Sequence, residues 1–230
     1  CLWSDVATAL GGIERGSFNK GVTSPTPERV KPALPPLSWS LVDPLPQVAK
    51  EWLTKHRCIS EKVQFDLGIG CARDRVAIPI WGDGNLVDIR LWLRPEKRIN
   101  GAPKITSWER GRGGARLYPL LNSQLKEVVL CAGELDALAL ITLGYNALTT
   151  TGSESSFPKK LAKHMRDIGI RKVRVLLDAD VTGIGGTHLR LNRLEEAGIE
   201  ATGVFWDAEK PRGWDVTDEI LLTGKVGVLE

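Results

Sequence analysis

From Lys126 onward the sequence switches repeatedly between two periodicities, and this alternation limits the possible folds more than any other feature. KEVVLCA is a continuous apolar run, the mark of a parallel strand covered on both faces. DALALITLG follows as a helix closed by Gly144 at its C′ position. NALTTTG reads as a second strand. Ser155 or Ser156, with Pro158, starts PKKLAKHMRDIG, a helix with Leu161, Met165 and Ile168 along one face and Gly169 at its end. VRVLLDAD is a third strand, THLRLNRLEEAG a third helix and IEATGVFW a fourth strand. Such alternation predicts a three-layer α/β domain, Rossmann-like, with a mostly parallel sheet flanked by helices.

The chain upstream reads differently. Seven of the thirteen prolines fall between Pro25 and Pro46, so residues 1–45 read as a proline-rich tail and linker without regular helix or central strand. QVAKEWLTKHR then has helical spacing, with Val48, Trp52 and Leu53 on one side. ISEKVQFDLGIG follows as a short helix with Ser60 as N-cap. DRVAIPI and LVDIRLWL, joined by WGDGN, form a predicted β-hairpin. On its second strand Val87, Ile89, Leu91 and Leu93 share the core face. Asp88, Arg90 and Trp92 share the other, where a cation beside an indole suits a nucleic-acid groove or an ordinary cation–π contact. The expected organisation is thus a tail over 1–45, a small α+β lobe over 46–122 and the α/β domain with a final helix over 123–230.

Net charge is only +3, but it is unevenly spread. Between Arg90 and Arg116 eight Lys or Arg face two Glu, a local excess of +6, which leaves −3 for the rest of the chain. A basic stretch beside an acidic remainder fits a polyanionic partner and a separate acidic site. The four cysteines are scattered without a CxxC pair, which predicts no zinc site and no disulfide framework. No run reaches the roughly 18 apolar residues that span a bilayer, so no membrane partner is expected. A first residue other than Met fits a piece of a longer protein.

In open parallel sheets the site lies at the carboxyl ends of the strands. Glu134 and Asp136 follow the first strand, and Asp178 and Asp180 end the third. Residues two apart on an extended chain point the same way. Two carboxylates ~6 Å apart at an effective dielectric of ~20 repel by roughly 3 kcal/mol. A cluster of four therefore calls for a cation, and oxygen ligands alone favour Mg²⁺ or Mn²⁺. Helix capping is the competing explanation for Asp136, and for Asp215 and Asp218 in GWDVTDEILL.

The Gly133–Glu134–x–Asp136 element and the later D178-A-D180-V-T-G183 resemble the TOPRIM domain of DnaG-type primases, phage primase–helicases, topoisomerases and some nucleases. AKEWLTKHRCISEKVQFDLGIGCARDRVAIPIWGDGNLVDIRLW is similar to the amino-terminal lobe of a DnaG-type or phage primase–helicase-type catalytic core. PKITSWERGRGGARLYPLLN is similar to that family's Pro-Lys-Tyr-x-x-Ser and Leu-Tyr-Gly elements. The resemblance covers roughly residues 48–222.

It implies template-directed, two-metal synthesis of short primers from NTPs on single-stranded DNA. The implied catalytic residues are Glu134, Asp178 and Asp180. Glu134, Asp136, Asp178, Asp180, Asp215 and Asp218 are the implied Mg²⁺ or Mn²⁺ ligands. Arg75, Arg90, Trp92, Lys104, Arg110, Arg112 and Arg116 would face template or nucleotide. A replicative helicase in a primosome, a phage or mobile-element source and a cytoplasmic, nucleoid-associated location are further implications. The family's glutamate before the glycine is Ala132 here, which leaves three readings: Glu134 has taken over, activity is reduced or lost, or the alanine is a substitution. The alternatives are a degenerate TOPRIM module that grips single-stranded DNA, and a TOPRIM nuclease or topoisomerase. For the last, Tyr118 and Tyr145 are the available nucleophiles, both in apolar contexts.

Overall fold

Residues 34–99, 101–119, 125–152 and 155–230 are described by the computed structural model. Most of the proline-rich tail, residues 1–33 with Cys1, lies outside them, as do residues 120–124.

Two five-stranded sheets organise the chain. The first is antiparallel, in the order β1 (Asp43–Pro44), β2 (Gly70–Ala72), β3 (Arg75–Gly82), β4 (Asn85–Trp92), β5 (Ile105–Ser107). Helices α1 (Gln47–Arg57) and α2 (Glu61–Asp66) lie between β1 and β2, and Ser60 caps α2 by accepting the Val63 amide at 3.3 Å. The β3–β4 hairpin turns at Asp83 and Gly84, both with positive φ, 50° and 76°. That pair suits a tight hairpin, because aspartate tolerates the left-handed region and glycine pays nothing for it.

The second sheet holds β6 (Leu117–Tyr118), β7 (Glu127–Cys131), β8 (Ala147–Thr150), β9 (Lys172–Leu176) and β10 (Glu200–Val204), in the order β10-β9-β7-β8-β6. Every pairing is parallel except that of the edge strand β6 with β8. Helices α3 (Glu134–Thr142), α4 (Lys159–Asp167), α5 (Val181–Glu196) and α6 (Val216–Thr223) cover it. Side chains alternate across β7. Val128 and Leu130 join Leu161, Met165 and Leu194 of α4 and α5 on one side, while Val129 and Cys131 join α3 and α6 on the other. The predicted three-layer α/β arrangement follows directly.

Two differences from the sequence reading matter for the site. Helix α5 begins at Val181, six residues before the expected THLRLNRLEEAG, so the glycines of VTGIGG are helical. Gly183 is required there: a Cβ at that position would run into the backbone carbonyl of Asp178. Glycine's cost inside a helix is offset by a helix start packed hard against the strand end. The strand itself stops at Leu176, and the Asp180 amide donates to the Asp178 carbonyl at 2.8 Å. The chain therefore turns between the two aspartates instead of continuing extended, and they are not side-by-side strand residues.

The first sheet is covered on both faces. Ile89 and Leu91 pack with Ala72, Ala77 and Leu86, as expected. The opposite face, carrying Trp92 with Val76, Ile78 and Ile80 of β3, enters a cluster shared with α1, α3 and α6. The Asp88–Arg90–Trp92 face is thus mostly buried against the second half of the chain, instead of forming an open groove or a surface cation–π pair. Among the described residues no helix is long and apolar enough to cross a membrane.

Candidate nucleotide and nucleic-acid site

Strand β7 ends at Cys131 and the chain enters α3 through Gly133, which leaves Glu134 and Asp136 in the first helical turn. Carboxylates are favoured at that end of a helix dipole. Both are buried, and both are met by cations from the first half of the chain. Arg90 of β4 donates from Nε to Glu134 Oε1 at 3.0 Å and from Nη1 to Ser107 Oγ at 3.1 Å. Arg57, the last residue of α1, places Nη2 3.4 Å from Asp136 Oδ1 and 3.8 Å from Asp215 Oδ2. Thr217 Oγ1 donates to the same Asp136 oxygen at 3.4 Å.

The Asp136 carboxyl is pushed up to about 7. Burial is the main cause, followed by the nearby Asp215 charge; Arg57, Lys104 and the Gly133 amide oppose the rise.

Three of the other predicted acids serve the backbone. Asp180 caps α5 by accepting the Gly183 amide at 2.7 Å. Asp215 and Asp218 form a reciprocal capping box at the start of α6, at 2.9 and 3.2 Å. Asp178 lines a separate small hollow with Gly183, Phe205 and Lys210. Among the described residues no three of His, Cys, Asp and Glu are grouped to hold a metal ion. Glu134, Asp136, Asp180, Asp215 and Asp218 each already meet a protein donor, so a divalent cation would have to compete with those donors for the carboxylates.

The predicted cations also divide. Trp92 and Lys104 share a cleft of about 650 Å³ with Trp52, His56, Arg57, Arg98 and Leu135. Lys104 Nζ stands 5.1 Å from the Trp92 ring centroid, and the buried Trp92 Nε1 has no hydrogen-bond partner among the described residues. Arg75 lies elsewhere, donating to the carbonyls of Leu91 and Pro103. Arg112 pairs with Glu109 at 2.9 Å and bonds the Pro35 carbonyl. Arg110 sits on an exposed loop, and Arg116 lines a depression with Trp81 and Lys160. Tyr118 is buried and its phenol is raised well above the usual range by burial and then by Glu134, which rules it out as an exposed nucleophile.

Trp52, His56, Arg57 and Arg98 of the cleft were not singled out from the sequence as ligand contacts. A cation in the last turn of a helix reads as a routine dipole complement. The one local hint was the CIS segment that follows, where Cys58 adopts a left-handed backbone, φ 55°, and breaks α1 beside the site.

Residues 129–218 match the Toprim-like family. A comparison with curated proteins gave no match. Among solved structures, a fragment of the Aquifex aeolicus primase holding its zinc-binding and RNA polymerase domains is similar, at 21% identity and a TM-score of 0.64. That match covers 78% of this chain and 53% of the other, so the chain spans about half of that fragment. The primase fragment of the bacteriophage T7 primase-helicase protein is similar at 18% identity and a TM-score of 0.53, over 75% of this chain and 70% of that one. The chain thus shares the fold of these primase fragments and carries a Toprim-like domain at residues 129–218.

Proposed function

We propose that this chain is the catalytic core of a primase, making short oligonucleotides from NTPs on a single-stranded DNA template. The observation that carries the reading is the cleft beside β7. The partly exposed indole of Trp52 and the edge of the buried Trp92 stand with Arg57, Arg98 and Lys104, and Arg57 reaches Asp136 at the start of α3. Indoles stack on nucleobases whatever their identity, and Lys and Arg neutralise phosphates. In this reading the lobe over 46–122 supplies the basic wall and the domain over 123–230 supplies the acids. Arg90 holds the buried Glu134 carboxylate by its 3.0 Å bond, one residue before Leu135 of the cleft wall. Single-stranded DNA and nucleotides are the partners, and a replicative helicase is the further one the context favours.

The test is primer synthesis on a set of single-stranded templates with all four NTPs and Mg²⁺ or Mn²⁺. Labelled products of a few nucleotides are expected, reduced by Asp178→Ala. Their absence on every template refutes the reading.

A second reading is favoured by one specific observation. Ala132 stands where an acid is usual in this family, and the remaining acids already have protein partners. Such a chain is a Toprim-fold module that grips single-stranded DNA without polymerising. It predicts no primer, DNA binding that weakens with salt, and synthesis gained in Ala132→Glu. Degradation of labelled DNA with metal alone, without NTPs, is the outcome that favours a nuclease over both.

A further inference from the structure

The acids that the fold leads one to expect around a cation are instead met by the protein itself, and Arg57 is the partner that bridges two of them. Asp136 stands on α3 and Asp215 at the start of α6, two helices joined through Leu135, Leu138, Val216 and Ile220 of one core cluster. Nothing covalent or local sets them together. Between them stands a single nitrogen, Arg57 Nη2, at 3.4 and 3.8 Å. This is not the two-pronged pairing that arginine makes with a carboxylate when it is locked in place. The Nε of the same guanidinium is buried and has no partner among the described residues. Asp215 Oδ1 is committed to the Asp218 amide, which leaves Oδ2 for the arginine. Arg57 also lines the aromatic cleft. It is a charge seated between two carboxylates by electrostatics, with few hydrogen bonds to hold it.

We propose that Arg57 is a built-in counter-ion that occupies the place of a divalent cation between Asp136 and Asp215, and that its presence sets how weakly this pair binds one. The proposal rests on the primase reading only in naming a divalent cation as the competitor. Charge balance is the physical core of it. A buried carboxylate beside a largely covered one needs positive charge, and a guanidinium and a metal ion cannot both take the same oxygens. An anion bound in the cleft shares Arg57 and draws it from the acids, so metal affinity and phosphate binding are coupled through one side chain.

Mn²⁺ binding to the full chain, by calorimetry and by the loss of the free-ion paramagnetic resonance signal, tests this without primer synthesis. Failure here and failure of the primase reading are therefore separable. Arg57→Gln and Arg57→Met are compared with wild type, and Asp136→Asn is added to each. Both single variants are expected to bind Mn²⁺ about tenfold more tightly, and Asp136→Asn is expected to remove the gain. A variant that melts like wild type but binds no more tightly overturns the proposal, as does a gain that survives Asp136→Asn. Unfolding of both single variants also overturns it, because a displaceable counter-ion is not a keystone of the fold.

Discussion

Replacing Asp136 by asparagine should make the protein less sensitive to alkaline pH, and the size of the effect can be worked from the site. The carboxyl is raised from its usual 3.8 to about 7 by burial and by Asp215, against the pull of Arg57 and Lys104. A raised carboxyl binds its proton more tightly in the folded than in the unfolded protein. Its contribution is therefore complete below about pH 4 and is lost as pH rises through about 7. Three pH units correspond to roughly 4 kcal/mol. Asparagine keeps the shape and never ionises. The stability difference, variant minus wild type, should thus grow by up to roughly 4 kcal/mol between pH 4 and pH 8.

Glu51, Glu196 and Glu219, held low mainly by hydrogen bonds from Gln47, Lys159 and Lys210, titrate with the opposite sign, but they are common to both proteins and cancel. Urea unfolding followed by tryptophan fluorescence, in EDTA, reads the difference directly. A difference that stays flat within about 1 kcal/mol across that range refutes the placement of Asp136 as a buried, charge-crowded acid.

Other perturbations are equally specific. Arg90→Met leaves the Glu134 side chain, only 4% exposed, without its cation, and should cost about 3 kcal/mol or more, part of which Glu134→Gln restores in the double variant. Lys104→Ala should weaken single-stranded DNA binding in fluorescence anisotropy and reduce the slope of log affinity against log salt by about 0.7. An unchanged slope removes Lys104 from the phosphate path. Gly183→Ala forces a methyl into the Asp178 backbone and should cost about 3 kcal/mol, seen as a lower melting temperature.

The parallel sheet was legible because its strands are short apolar runs separated by helices with clear stops, such as Gly144, Gly169 and Gly198, all with positive φ. The start of α5 was not, because three glycines within four residues read as loop; only the clash a Cβ at Gly183 would meet with Asp178 reveals why a helix carries them. The acids were legible as a group, but their partners were not. Glu134 meets Arg90 across 44 residues and Asp136 meets Arg57 across 79, and no local pattern encodes such pairs. The helical phase of α1 was also misread, since Val48 is exposed while Ala49 and Leu53 are buried. Charge density correctly marked the stretch 90–116 as basic, yet Arg90 and Arg112 are tied to Glu134 and Glu109, and Lys104 is the one member of the predicted set of cations that lines the cleft.

The core cluster that runs from α1, β3 and Trp92 into α3 and α6 bears on how such a protein could be inherited or recombined. A gene segment that begins near Lys126 encodes every strand of the parallel sheet but β6, yet it strips α3 and α6 of the surface they were shaped to meet. The orphaned face would seek a substitute, either another copy of itself or a chaperone. Moving the Toprim-like half into another protein therefore requires either that α1 and the first sheet travel with it or that a new surface cover α3 and α6.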